Sequence, residues 1–293
     1  MRTAIVTGAT SGLGFVTARA LARRGMHVVV PARDPERAAR VIERIRASAP
    51  GTSLEARTLD LSDLRVVRGF AETFRAEHST LDLLVNNAGI MWGPRSETVD
   101  GFEAQLGINH FGHFALTGLL LPPLRQSLAG RVVTVGSTEH LRGEIDMDDL
   151  QMTRRYHPRH AYQRAKLANV IFGLELDRRL RHARLAVRSV LAHPGFAATG
   201  LQTRTTARAL RPFAAFLNRA LAQTPERGAR AQIRAALDPD LPGGSYIGPT
   251  GWSELRGPLG EARIAPSARD LACRERLWSL SEELTDVRYQ FLR

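Results

Sequence analysis

Lysine is almost missing from this chain. Of its 293 residues 41 are lysine or arginine, and a single one of these, Lys166, is lysine. Cysteine is as scarce, with Cys273 alone. One thiol excludes an intramolecular disulfide and any paired-cysteine metal site, and it suits a reducing cytoplasm. Long apolar runs are lacking as well: the longest, "FALTGLLLPPLR" (114–125), is too short for a bilayer and is broken by two prolines, so it reads as a buried helix. No charged stretch followed by a long apolar one precedes the first strand-like run, so no secretory signal is visible. The net charge of +12 would suit a nucleic acid or an anionic surface. The arginines are nevertheless spread along the whole chain, with no block of like charge and no basic stretch interleaved with aromatics. Neither nucleic acid nor a membrane is an expected partner.

What is present is a rhythm. Short β-branched runs, "TAIVTG" (3–8), "HVVVPA" (27–32), "SLEARTLD" (53–60), "LDLLVNNAG" (81–89), "GRVVTVGS" (130–137) and "LAVRSVLAHPG" (185–195), read as six strands, and "GSYIG" (244–248) as a seventh. Helical patterns near 12–24, 35–48, 63–77, 98–128 and 160–182 lie between them, and a last one covers 267–285. Asp34-Pro35 and Ser62-Asp63 supply helix starts. Apolar runs with little alternation imply strands buried on both faces. The expectation is one α/β domain over residues 1–293: a Rossmann-type doubly wound parallel sheet of about seven strands with helices on both faces. Two segments break the rhythm, a polar insertion around 142–160 and a stretch around 196–225 that is a candidate substrate lid. Phe196, Phe213, Phe216 and Leu217 either wall an apolar pocket there or are helix core.

The chemistry begins at "TGATSGLG" (7–14), between the first strand and the first helix. Gly8, Gly12 and Gly14 permit a tight turn and let backbone approach a pyrophosphate, which would sit on the N–H groups of the helix start. Thr10, Ser11 and Leu13 belong to the same turn. After the second strand comes Arg33, where an acid would be needed to favour NAD; an arginine there can pair with the 2′-phosphate of NADP, or else is a solvated residue ahead of the capping Asp34-Pro35. Asp60, with Leu61 beside it, ends the third strand and is placed for an adenine edge, or else caps the next helix. Asn87, Ala88 and Gly89 of "NNAG" end the fourth. Ser137 ends the fifth strand, and Tyr162 and Lys166 stand at i and i+4, so both leave one helix face. Tyr156, with no lysine four residues on, is a weaker acid/base candidate. His110 and His113 read as packing rather than a metal pair, and no metal is expected.

These motifs, with "INHFGHF", "AYQRAKLAN" and "AHPGFAATGL", resemble the short-chain dehydrogenase/reductases over most of the chain. The wording of "INHFGHF" and "YQRAKLAN", the long spacer from Ser137 to Tyr162 and the tail "GGSYIGPTGWSELRG" (243–257) resemble the retinol-dehydrogenase-like branch, including its soluble bacterial members. The membrane-bound members of that branch carry an N-terminal hydrophobic anchor that is not seen here, so the resemblance does not extend to a retinoid substrate. It implies a catalytic tetrad of Asn109, Ser137, Tyr162 and Lys166, with Asn109 holding a water that links the lysine to solvent. Lys166 would also bind the nicotinamide ribose, while Pro194, Gly195 and Thr199 would border the nicotinamide. It also implies a homodimer or homotetramer.

The expected function is therefore an NADP(H)-dependent, cytoplasmic oxidoreductase acting on a fairly apolar carbonyl or alcohol, with Tyr162 as general acid/base. A cation near Tyr162 should lower its pKa from the free value of about 10. The alternatives are a non-catalytic NADP-binding sensor or scaffold, and a reductase of carbon–carbon double bonds. The lone lysine fits the first reading: arginine holds its proton above pH 12 and is a planar fork rather than a compact ammonium.

Overall fold

The computed structural model describes residues 1–196 and 223–291. The β-branched runs become β1 (Thr3–Val6), β2 (His27–Ala32), β3 (Leu54–Thr58), β4 (Leu83–Asn86), β5 (Arg131–Val135), β6 (Arg188–Ala192) and β7 (Tyr246–Gly251). They form one sheet in the order β3-β2-β1-β4-β5-β6-β7, all parallel, to which β8 (Arg256–Glu261) adds an antiparallel edge. The doubly wound α/β expectation holds, with an eighth strand beyond the seven. Arg256, Gly257, Pro258 and Gly260 in β8 carry no strand propensity; the strand exists because β7 offers it a partner.

Residues alternate across each strand. Ala4 and Val6 of β1 join Val28, Val30, Leu83, Val85 and Val190 on one face, under α1 (Gly12–Ala22), α2 (Pro35–Ser48) and, later in the chain, Pro225–Leu237. Ile5, Val29, Leu84, Val132 and Leu191 point to the other face, under α3 (Leu64–Glu77) and the helices that follow it. Asp34 caps α2, accepting from Glu36 N–H at 2.9 Å with Pro35 at the first helical position, and Asp63 caps α3.

The expected helix over 98–128 starts late and is broken. α4 (Ala104–Leu106) runs into a π-helical turn, Gly107–Phe111, followed by α5 (Gly112–Leu119) and α6 (Leu121–Gln126). The π turn falls inside one continuous apolar stretch that carries no local mark of a break, so the pattern reads as one helix. α7 (Pro158–His182), α8 (Pro225–Leu237) and α9 (Leu271–Thr285) follow, the last preceded by a helical turn at Pro266–Arg269 from which Asp270 separates it. α9 lies on α5 and α7, where Trp278 packs its ring 5.1 Å from that of Phe114 and 6.0 Å from that of Phe172. The insertion around 142–160 holds turns between a 3-10 helix (Thr138–Arg142) and α7. Most of the candidate lid, with Thr199, Phe213, Phe216 and Leu217, lies outside the described residues. Among the described residues no helix is long and apolar enough to cross a membrane.

Candidate active site

The strand order reverses between β1 and β4, and the loops leaving those two strands open a crevice at their carboxyl ends. The glycine turn fills one side of it. Gly8 and Gly12 have φ of +67° and +55°, which side chains rarely adopt. Gly14 is needed for another reason: a Cβ there would lie 2.4 Å from the Gly8 carbonyl oxygen and 2.6 Å from Asn87 Nδ2. No side chain caps the start of α1, so its first N–H groups face the turn. This cradle of glycines and helix N–H groups fits a dinucleotide pyrophosphate. Arg33 is exposed just past β2, ahead of the capping Asp34. Asp60 holds the turn after β3 by accepting from Ser62 N–H at 2.9 Å and Ser62 Oγ at 2.6 Å, while the capping of α3 falls to Asp63.

On the other side, the loop after β4 is fastened to β1. Thr7 Oγ1 accepts from Asn87 N–H at 2.9 Å and Ala88 N–H at 3.0 Å, and Asn87 Nδ2 donates to the Thr7 carbonyl at 2.8 Å. Gly89 leaves room for the next element, since a Cβ would sit 2.9 Å from Asn109 Oδ1. Asn109, fully buried in the π turn, grips the backbone of Ile90 from both ends of its amide: Nδ2 donates to the Ile90 carbonyl at 2.9 Å, and Oδ1 accepts from Ile90 N–H at 2.8 Å. Its side chain is thus committed to the loop.

β5 and α7 bring the remaining groups in. Ser137 begins the 3-10 helix just past β5, its Oγ accepting from Glu139 N–H at 3.2 Å. On α7, Lys166 is buried and donates from Nζ to the Val135 carbonyl of β5 at 2.9 Å, with Nζ 5.8 Å from the centre of the Tyr162 ring. Burial brings Lys166 down to about 8. The expected lowering of Tyr162 is not what the geometry gives. Burial pushes its hydroxyl up to about 12, outweighing a hydrogen bond from Ser137 that favours the phenolate, and Glu139 adds to the rise. A neutral tyrosine with a serine beside its hydroxyl is arranged to donate a proton at ordinary pH.

Several supports escaped sequence reading. The Ser137 carbonyl accepts from His140 N–H, from His140 Nδ1 at 2.6 Å and from Tyr246 Oη at 3.4 Å, so the tail resembling the retinol-dehydrogenase-like branch sits directly behind the serine. Gly195, with φ +67°, lies against the Leu255 carbonyl, where a Cβ would come within 2.4 Å. Gln232 of α8 is buried and donates to the Leu13 carbonyl at 3.3 Å and to Thr17 Oγ1, bracing the start of α1. The sequence named Gly195 but not its contact with Leu255, and nothing in it pairs His140, Tyr246 or Gln232 with the groups they hold.

Other polar clusters have structural work. Tyr156 donates to the Gly93 carbonyl and accepts from Gln105, against buried Glu103. His110 is buried and held by Ser281 at 2.9 Å, with its pKa lowered by burial to about 3. His27, Glu55 and His78 gather at 3.0 and 3.3 Å. Arg57 pairs there with Glu55 and Glu77 and reaches His78 Nε2, so a cation already occupies the cluster.

Comparison with known proteins gives one family. The model of the short chain dehydrogenases matches residues 2–209. Polyprenol dehydrogenase of Mus musculus is 45% identical, over 97% of this chain and 84% of its own. Human retinol dehydrogenase 12 is 39% identical, over 98% and 87%. Among solved structures, an uncharacterised protein of Mycobacterium paratuberculosis superposes with a TM-score of 0.80 at 41% identity, covering 99% of this chain and 95% of the other. The NADP complex of Pseudomonas aeruginosa RhlG superposes at 0.65 and 26% identity, covering 84% and 93%.

Proposed function

The chain belongs to the short-chain dehydrogenase family and is an oxidoreductase, and on that premise we propose that it interconverts a carbonyl and an alcohol with NADP(H), using Tyr162 as the proton donor and acceptor. The observation that carries the reading is the placing of Tyr162 and Lys166 on one face of α7, between Ser137 and the Gly89–Asn109 contact.

Gly8, Thr10, Ser11, Gly12, Leu13 and Gly14 would hold the pyrophosphate, Asp60 and Leu61 the adenine side, and Asn87, Ala88 and Gly89 the loop against it. Pro194 and Gly195, and Thr199 outside the described residues, would border the nicotinamide. Bound NADP(H) supplies the hydride. In reduction, Ser137 Oγ hydrogen-bonds the substrate oxygen and keeps it beside Tyr162, whose Oη passes its proton to that oxygen. With its pKa at about 12, Tyr162 is protonated at neutral pH and ready for that direction. Lys166 would hold the ribose hydroxyls, and its ammonium would stabilise the phenolate once the proton has left. Asn109 keeps the loop carrying Ile90 in place.

Substituting Tyr162 by Phe keeps the packing and removes the proton, so turnover should fall at least about 100-fold while dinucleotide affinity is retained. Steady-state rates on a panel of ketones, aldehydes and alcohols check this, and near-normal rates would refute the role.

NADP is favoured by Arg33, which stands where an acid would select NAD, and by the likeness to an NADP complex. Arg33→Ala should weaken NADPH about tenfold or more and leave NADH within about twofold, since one charge-assisted contact is lost with the 2′-phosphate. Equal effects on both dinucleotides would remove the assignment. The substrate is apolar: the relatives act, by their names, on polyprenol and retinol, and Ile90, Met91 and part-exposed Trp92 follow the loop that Asn109 holds.

A further inference from the structure

His113 has no place in the chemistry above, yet it is 1% exposed and lies between the two halves of the site. Its Nδ1 is 3.0 Å from the Asn109 carbonyl oxygen, and its Nε2 is 2.9 Å from Thr7 Oγ1. Counting donors and acceptors fixes its state. A carbonyl oxygen only accepts, so Nδ1 carries the proton. Thr7 Oγ1 already accepts from two N–H groups, those of Asn87 and Ala88, which leaves its own proton as what it can offer. The Val85 carbonyl, 3.2 Å away, is the competing acceptor for that proton, but a second proton on Nε2 would face an oxygen whose lone pairs are taken. The imidazole is therefore neutral. Burial, and the charge of Lys166, act in the same direction and bring its pKa down to about 4.

We infer that His113 is a positioning residue: as a neutral imidazole protonated on Nδ1 it ties the Asn109 carbonyl to the Thr7 hydroxyl, and so holds the Asn87–Gly89 loop and the Asn109 turn in one register. The chain of bonds runs from the Ala88 and Asn87 amides through Thr7 and His113 to the Asn109 carbonyl. It closes on itself, because Asn109 grips Ile90, one residue past Gly89. A ring of this kind constrains both segments together. Loosening His113 frees the Thr7 hydroxyl to turn toward Val85, and it removes the only side chain that holds the Asn109 carbonyl among the described residues. The inference rests on the proposed dinucleotide site for its consequence, though not for its geometry.

The test uses the full-length protein with His113→Phe, which keeps a ring but offers neither nitrogen, and His113→Gln, whose amide can restore the bond to Thr7. Amide hydrogen exchange without cofactor is the first readout. His113→Phe should accelerate exchange about tenfold or more in both 86–90 and 107–111 and leave β2 and α2 unchanged. Acceleration in one of the two segments alone, or equally throughout the protein, would overturn the inference. NADPH titration by fluorescence is the second. Affinity should fall about tenfold in His113→Phe and in Thr7→Val, and recover in part in His113→Gln. The double variant should lose no more than the weaker single one; losses that multiply would mean that the residues act separately and would overturn the ring. Exchange is read without cofactor, so it remains decisive if the NADP reading fails, a failure that the Arg33 kinetics would register separately.

Discussion

At Lys166 two demands meet in one side chain. It must reach the Val135 carbonyl from a buried helix position and still offer protons beside Tyr162. A four-carbon stem with a compact ammonium does both, whereas a guanidinium is planar, larger and titrates above pH 12. Lys166→Arg should lower turnover about 100-fold or more, and a variant of near-normal rate would show that charge alone suffices. The lysine also sets a pH limit. Its folded pKa, about 8, lies below the 10.5 of a free lysine side chain, so it is charged below pH 8 and neutral above. Reduction should therefore decline as pH rises through about 8, and a rate constant to pH 10 would exclude Lys166 from the limiting step. Stability moves the other way: between about pH 8 and 10.5 the unfolded lysine binds more protons than the folded one, so this group's penalty shrinks as pH rises. The residue itself was legible because every other basic position is arginine. The position of the Tyr162 pKa was not, since the sequence shows a lysine four residues away but not how deeply the hydroxyl is covered.

At the scale of elements, local signals served where local physics decides. The glycine turn and the caps at Asp34 and Asp63 depend on a few adjacent residues, and each formed at its expected place. Gly14→Ala tests that turn. The added Cβ would meet the Gly8 carbonyl at 2.4 Å, and backbone on both sides leaves little room to yield. The substitution should cost about 1–3 kcal/mol in denaturant melts and weaken dinucleotide binding; unchanged affinity would mean that the turn does not carry the phosphates. Elements decided by distant partners stayed hidden. The π turn at Gly107–Phe111 lies within one apolar stretch and no local residue marks it, and β8 forms from glycine and proline because β7 lies open beside it. Asp60 was placed correctly at a strand end, but its bonds to Ser62 are a matter of local turn geometry.

The whole molecule depends on its last helix for one wall of the core. α9 covers α5 and α7, and Trp278, 2% exposed, stacks among Phe114, Phe172 and Tyr289 under the Arg179 guanidinium. Trp278→Ala should destabilise the protein by about 3–5 kcal/mol, visible as a lower thermal midpoint, with dinucleotide affinity kept below that midpoint. Loss of affinity in the folded variant would mean that the α9 packing reaches the site. The apolar periodicity foretold that α9 would form, but not which helices it would cover.

One further consequence concerns the Leu255 carbonyl between β7 and β8. It receives Phe196 N–H at 2.9 Å and Gln223 Nε2 at 2.6 Å, and Gln223 N–H reaches the Phe196 carbonyl at 2.7 Å. The two edges of the segment 197–222 are thus knotted at a single point by bonds that none of its own residues make. Closure of the chain there is already secured, and a doubling of the length between the edges would add only about 0.6 kcal/mol of loop entropy. The molecule carries a socket. Phe196 and Gln223 stay side by side through their bonds to Leu255 and to each other, so a change of length between them leaves that anchoring in place.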